Sequence, residues 1–176
     1  MRLFHFSDDP TISRFEPRPV VVPSQRAPGF DWLNGPLVWA IDDWHQPMYL
    51  FPRDCPRILI WRLETSTPED IRRFWDGRDS RMIAHIEWRW LERWRSGVLH
   101  RYELPAAAFE ALEAGMWVAR EPVEPIGLET LTDLPAALAA ADCELRVMTS
   151  LRPLKGVWDT SVHASGIRLR NAADWA

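Results

Sequence analysis

Apolar and polar residues alternate at the start of the chain and then stop alternating. In Arg2-Leu-Phe-His-Phe-Ser7, a period of two puts Leu3, His5 and Ser7 on one face and Arg2, Phe4 and Phe6 on the other, which predicts a strand over 2–7. Residues 8–36 carry Pro10, Pro17, Pro19, Pro23, Pro28 and Pro36 together with Gly29 and Gly35, so an irregular loop is expected there. A loop of that length in a compact domain is often a functional flap, with Phe15, Val20, Val21 and Val22 packing parts of it down. Residues 37–41 are apolar without interruption and predict a strand buried on both faces. Asp43 then caps a short helix, Gln46 completes a capping-box pattern, and Tyr49 falls about one turn in.

The same reasoning extends along the chain. A strand is expected over 57–63, and Thr67-Pro68 starts a helix that runs to Trp75 and stops at Asp76-Gly77. Ile83, Ile86, Trp90, Leu91 and Trp94 recur at helical spacing, which predicts a helix over 81–95 with Trp88 off its apolar face. A strand over 98–104, a short helix over 106–112 closed by Gly115, a strand over 116–119 and an extended segment over 123–130 follow. Asp133 caps a helix over 134–141, and a strand over 144–148 buries Leu145 and Val147. The tail over 151–176 reads as irregular, anchored by Trp158 and Ile167. Strands do not alternate regularly with long crossover helices. The expected class is therefore α+β, one domain over 1–176 with largely antiparallel sheets and short helices.

Composition narrows the setting. The chain has 176 residues, enough for one well-formed core. Its net charge of −4, without a basic run, argues against a dedicated nucleic-acid surface. Two cysteines, Cys55 and Cys143, cannot make a disulfide framework and match no metal or redox spacing, so a reducing cytoplasm is the expected compartment. No apolar run suits a membrane helix, and Asp8-Asp9-Pro10 interrupts any signal-peptide core. Eleven tryptophans are expected mostly in the core, with a minority free to stack on a planar ligand.

Motifs for chemistry are sparse. There is no Gly-rich phosphate loop, G-x-S-x-G, H-E-x-x-H or cysteine pair, and no metal is expected. Of the five histidines, His85 and His100 read as structural, beside amphipathic elements. His5 differs: it shares a strand face with Ser7 inside an apolar run, and a buried imidazole must find a partner. Arg18 and Arg53 each follow a proline on a predicted loop, where a guanidinium suits phosphate or carboxylate.

His5-Phe6-Ser7 resembles the His-x-Ser/Thr that opens the ADP-ribosyltransferase fold of the diphtheria-toxin and PARP type. Pro36-Leu-Val-Trp-Ala-Ile41 followed by Tyr49 resembles that fold's second strand and its tyrosine-bearing helix. Phe6 stands where that family commonly has glycine. The stretch Met116–Pro125 resembles the part of the family, and of the RNA 2′-phosphotransferases that share the fold, where a glutamate faces the reacting ribose; Glu121 is the first candidate and Glu124 the second. The resemblance implies NAD, or an ADP-ribose-like or phosphorylated small ligand. His5 and Ser7 would hold ribose and amide, Tyr49 with Trp39 would stack on the ring, Glu121 would act at the ribose carbon, and Arg18 or Arg53 would meet phosphates. The whole chain also resembles a small set of uncharacterised bacterial proteins that share the His-Phe-Ser start, Phe15-Glu-Pro-Arg18 and Tyr49-Leu-Phe-Pro-Arg-Asp-Cys-Pro56. Two other functions stay open: a non-enzymatic module using a Trp-rich face, and an unrelated hydrolase or nuclease pairing His5 with Asp8 or Asp54.

Overall fold

The computed structural model describes residues 1–23 and 25–175; residue 24 of the proline-rich loop and residue 176 of the tail lie outside them. The described chain is an α+β protein with mostly antiparallel sheets and few short helices. It divides into two compact units. The first comprises residues 1–46 and 100–130, the second residues 47–99 and 131–176.

The first unit is built on a six-stranded sheet. Its strands are β1 (Leu3–Ser7), β2 (Val38–Asp42), β5 (Leu99–Leu104), β6 (Glu110–Ala111), β7 (Met116–Ala119) and β8 (Gly127–Leu131), in the order β6-β7-β2-β1-β5-β8. β1 lies between β2 and β5, antiparallel to both. Directly opposed residues share a face, so Leu3, Val38, Ala40, Tyr102 and Ala119 gather on one side as a core with Phe15 and Val123. Leu37 and Val118 pack on Leu33, with Trp39 against them, on the other side.

The second unit holds β3 (Arg57–Trp61), β4 (Met82–Glu87), β9 (Cys143–Met148) and β10 (His163–Ile167), in the order β10-β3-β4-β9. Only β4 and β9 run parallel; the other two pairings are antiparallel. Ile58, Ile60 and Ile83 pack on Phe74 and Trp75 of α1 (Pro68–Trp75). The helices α2 (Trp88–Arg95) and α3 (Leu134–Ala140) contribute Trp94, Leu134 and Leu138 to the buried set.

Several expectations meet the structure closely. Thr67 Oγ1 accepts the Asp70 N–H at 3.2 Å, Pro68 opens α1, and Asp76 closes it in the left-handed region at φ 47°. Asp133 Oδ1 accepts the Ala136 N–H at 2.9 Å and caps α3. The helix expected over 81–95 is corrected: Met82–Glu87 is a strand, every residue of it buried, and only 88–95 is helical. A short apolar run reads the same as a helix face or as a strand buried on both sides, and the pairing with β3 and β9 decides it.

The short helix expected over 106–112 is a single 3-10 turn, Ala106–Ala108, followed by a two-residue edge strand. The tail is less irregular than expected, because 163–167 pairs with β3 along its whole length. In the proline-rich loop Phe15 is buried, whereas Val21 and Val22 stand in solvent. Among the tryptophans, Trp61, Trp75 and Trp94 are buried and Trp32, Trp39, Trp117 and Trp175 pack half-buried against the core clusters, so most serve the core as expected, while Trp44, Trp88 and Trp158 are exposed. Among the described residues no helix is long and apolar enough to cross a membrane.

Candidate functional site

The candidate residues divide between the units. His5, Ser7, Arg18, Trp39 and Glu121 belong to the first; Tyr49 and Arg53 belong to the second.

In the first unit the decisive feature is where β1 and β2 part. Leu3 and Phe4 pair with Asp42 and Ile41, and the ladder ends there, whereas β1 stays paired with β5 as far as Ser7 opposite His100. Leu37, Trp39 and Ile41 present backbone groups to the same edge of β2, two residues apart. Beyond Ile41 that edge finds other partners. The Trp39 carbonyl lies 2.8 Å from His5 Nδ1, and Leu37 exchanges two backbone hydrogen bonds of 3.2 Å with Arg18. A carbonyl only accepts, so Nδ1 carries the proton, and in the neutral ring Nε2 is the lone-pair acceptor. Phe15 packs against the imidazole at 4.7 Å and makes an edge contact with Tyr102, whose hydroxyl donates to the Asp9 carbonyl and accepts the Ile12 N–H. The loop is therefore strapped over the His5 face.

Ser7 is buried on the same face as His5, and its hydroxyl accepts the Asp9 N–H at 3.1 Å. The Trp39 side chain is not with them. The register pairs it with Val118, on the other face of the sheet, where its indole N–H is buried with no hydrogen-bond partner among the described residues and Arg26 lies 5.9 Å from the ring. The backbone of Trp39 thus serves His5 while its ring points away. Glu121 and Glu124 are both exposed, on the segment after β7 that Phe15 pins through paired backbone bonds to Val123 (2.8 and 2.9 Å). Phe15 thereby links that segment to His5. Glu124 lies 4.0 Å from Arg14. The Arg18 side chain is exposed, and Asp8 is exposed just past Ser7.

In the second unit Tyr49 ends the 3-10 turn Gln46–Tyr49. Just before the turn Asp42 Oδ1 accepts the His45 N–H at 2.8 Å, and the Gln46 amide donates to Asp43 Oδ1 at 2.8 Å. The half-buried Tyr49 phenol is pushed up by desolvation, against the pull of Arg57 and Arg168. Arg53 and Asp54 are exposed on the following loop.

Three groups escaped the sequence reading of chemistry: the Asp42–His45 pair, Arg57 and Glu87. Asp42 Oδ1 also meets His45 Nδ1 at 2.8 Å, an Asp-x-x-His pair whose spacing was visible in the chain. Arg57 heads an apolar strand and is buried. Glu87 is buried at the end of β4, hidden at first by the helix expected there. His85, two residues before it, is buried with Nδ1 3.2 Å from the Ile58 carbonyl. Desolvation pushes the Cys55 and Cys143 thiols up to about 12, so neither is a thiolate near neutral pH. Among the described residues no three His, Cys, Asp or Glu side chains are grouped to hold a metal ion.

His85 yields a pH prediction. Burial lowers its imidazole from 6.5 to about 4. Above its unfolded pKa both states are neutral and it adds no pH dependence. Between 6.5 and about 4 the unfolded chain takes up a proton that the folded chain refuses, so stability falls as acid is added, by about 3 kcal/mol across the window. Urea unfolding at pH values spanning this window measures the slope, and His85→Gln is expected to remove one proton's worth of it.

No curated protein and no solved structure matches the chain. A family model covers residues 4–172, from the first candidate strand to beyond the last strand of the second unit, and by that match the chain belongs to the family of unknown function DUF6886.

Proposed function

We propose that this protein is ADP-ribosyltransferase-like and binds NAD or an ADP-ribose-like phosphorylated ligand, with His5 accepting a hydrogen bond from a ribose hydroxyl. The observation that carries the reading is the Nδ1 contact of His5 with the Trp39 carbonyl at the point where β1 and β2 part. It holds the ring and fixes the tautomer in which Nε2 is the accepting atom, which is the chemistry a hydroxyl donor needs. Ser7 on the same face supports the amide or ribose end of the ligand, and Arg18, bonded to the same edge of β2, supports a phosphate. Trp39, expected with Tyr49 to stack on the ligand ring, drops out of the His5 end of this reading, because its ring lies on the opposite face. Transfer, as distinct from binding, would need Glu121 at the reacting ribose carbon, where a carboxylate stabilises developing positive charge.

Calorimetric titration with NAD and with ADP-ribose tests the proposal. His5→Asn keeps a donor in the place of Nδ1, and so the hold on the Trp39 carbonyl, but removes Nε2. It is expected to melt like the wild type and to lose binding. Absence of saturable heat for both ligands, or unchanged affinity in the variant, overturns the reading. Glu121→Gln then separates the alternatives: retained binding with lost transfer marks an enzyme, and no change in either marks a binding module.

A further inference from the structure

The six-stranded sheet ends on β8, and that end is open. Among the described residues β8 pairs with β5 alone, and Gly127, Leu128, Glu129 and Thr130 are all exposed. The Thr130 hydroxyl meets His100 Nδ1 at 3.1 Å and Glu129 meets Arg101, so the two strands run in opposite directions. Period two then sets Leu128 on the face of Thr130 and Glu129 on the other. Leu128 is 48 % exposed, and Ile126, just before the strand, is 67 % exposed.

An open sheet edge offers its outward N–H and C=O groups to any strand that meets it, and proteins blunt such edges. The other three edges of the two sheets are blunted. β6 has two residues. β9 points Glu144 and Arg146 inward, on the face of Ile83 and His85. β10 is capped by Trp158, whose indole N–H donates to the Ala164 carbonyl at 3.1 Å. β8 has five residues and no lysine, arginine or proline among them. Its one charge, Glu129, is offset by Arg101 of the same sheet.

Antiparallel pairing of β8 with itself about a two-fold axis sets one residue opposite its own copy. Centred on Glu129, the ladder opposes two like charges, which is destabilising. Centred on Thr130, it carries Gly127 to Asp133, the cap of α3. Centred on Gly127, it sets Pro125, which has no N–H, opposite Glu129. Centred on Leu128, it puts each Glu129 opposite a glycine, sets the two Leu128 side chains against each other and brings each Ile126 to Thr130 of the other copy. Two half-exposed leucines and two exposed isoleucines then leave water together.

We propose that β8 is the docking edge for a second copy of this chain, antiparallel and centred on Leu128, which joins two six-stranded sheets into one. The occupant is a second copy because the edge is self-complementary: its one charge is offset within its own sheet, and the residue that would face that charge across the axis is a glycine. A strand of another protein would need no such symmetry. The interface is independent of the His5 reading, and each can fail without the other.

Sedimentation velocity of the full chain across a concentration series tests the proposal. A dimer is expected whose share rises with concentration. Leu128→Lys opposes two cations at an exposed position. It is expected to keep the wild-type circular dichroism spectrum and to raise the dimer dissociation constant about tenfold or more. Leu128→Cys is expected to give a disulfide-linked dimer on mild oxidation, because the two thiols face each other, whereas Thr130→Cys, opposite Ile126, is not. Cys55 and Cys143 are buried and do not compete. A chain that stays monomeric throughout leaves the edge to a strand of a different protein and overturns the proposal. So does a dimer unaltered by Leu128→Lys, or cross-linking as strong at position 130 as at 128.

Discussion

Glu87→Ala is expected to destabilise the protein by about 3–5 kcal/mol, from the loss of two buried backbone hydrogen bonds to a charged acceptor at roughly 1.5–3 kcal/mol each. The side chain is fully buried where β4 passes into α2. One carboxylate oxygen accepts the Ala173 N–H at 2.8 Å and the Leu151 N–H at 3.4 Å; the other accepts Arg89 Nε at 2.8 Å. Arg89 in turn donates to the Asn171 carbonyl. This single acidic group therefore ties the end of a central strand to two points of the chain after β9. Removing it leaves two backbone donors without their acceptor and Arg89 without its counter-ion. At roughly 2–4 °C per kcal/mol for a chain of this size, the melting temperature should fall by roughly 6–20 °C. Glu87→Gln keeps one oxygen for the two backbone donors and turns its amide N–H only toward the half-exposed Arg89, so it should recover most of the loss. A melting temperature within about 2 °C of wild type for Glu87→Ala would show that the tail is held by its apolar anchors instead.

Gly115→Ala should cost about 2–4 kcal/mol, from two causes that act together. Gly115 sits at φ +73°, in the region that L side chains rarely adopt. A Cβ there would stand 2.0 Å from His45 Nδ1 and 2.8 Å from His45 Cβ. The imidazole cannot swing away at its tip alone, and moving it breaks the 2.8 Å contact with Asp42 Oδ1. The Gly115 carbonyl also accepts the Asp42 N–H at 2.9 Å, so the disturbance should reach the end of β2. Urea unfolding measures the loss, and the His45 ring shifts in an NMR spectrum should move with it. A second variant, His45→Ala, opens the space; combined with Gly115→Ala it should recover the steric part and leave only the backbone cost. Additive losses in the double variant would refute the clash.

How much was legible in the chain depended on whether the signal was local. Thr67-Pro68 and Asp133 name their helices because a cap is an arrangement within four residues. His5 and Ser7 could be assigned to one strand face by period two alone. The run Met82–Glu87 could not be read the same way. Its apolar positions fit a helical stripe as well as a strand, and the choice rests on β3 and β9, residues 27 and 61 places away in the register Ile58↔His85 and Met82↔Cys143. Glu87 was lost with that assignment, since its role exists only once residues 151 and 173 come back to it. Trp39 shows the same limit at the candidate site. Its neighbour in sequence, Ala40, faces His5, but the ring itself goes to the other side, which only the pairing of Phe4 with Ile41 reveals.

The sequence by itself therefore determined the α+β class, the capped helices and the two-faced strand that carries His5, because these follow from turn chemistry and short-range periodicity. The tertiary structure alone decided which carbonyl sets the His5 tautomer, that Arg57 is buried on two backbone carbonyls, and that one carboxylate holds the returning tail. Each of those depends on residues far apart in the chain meeting where water is excluded. There the demand that every polar group be satisfied selects the partner.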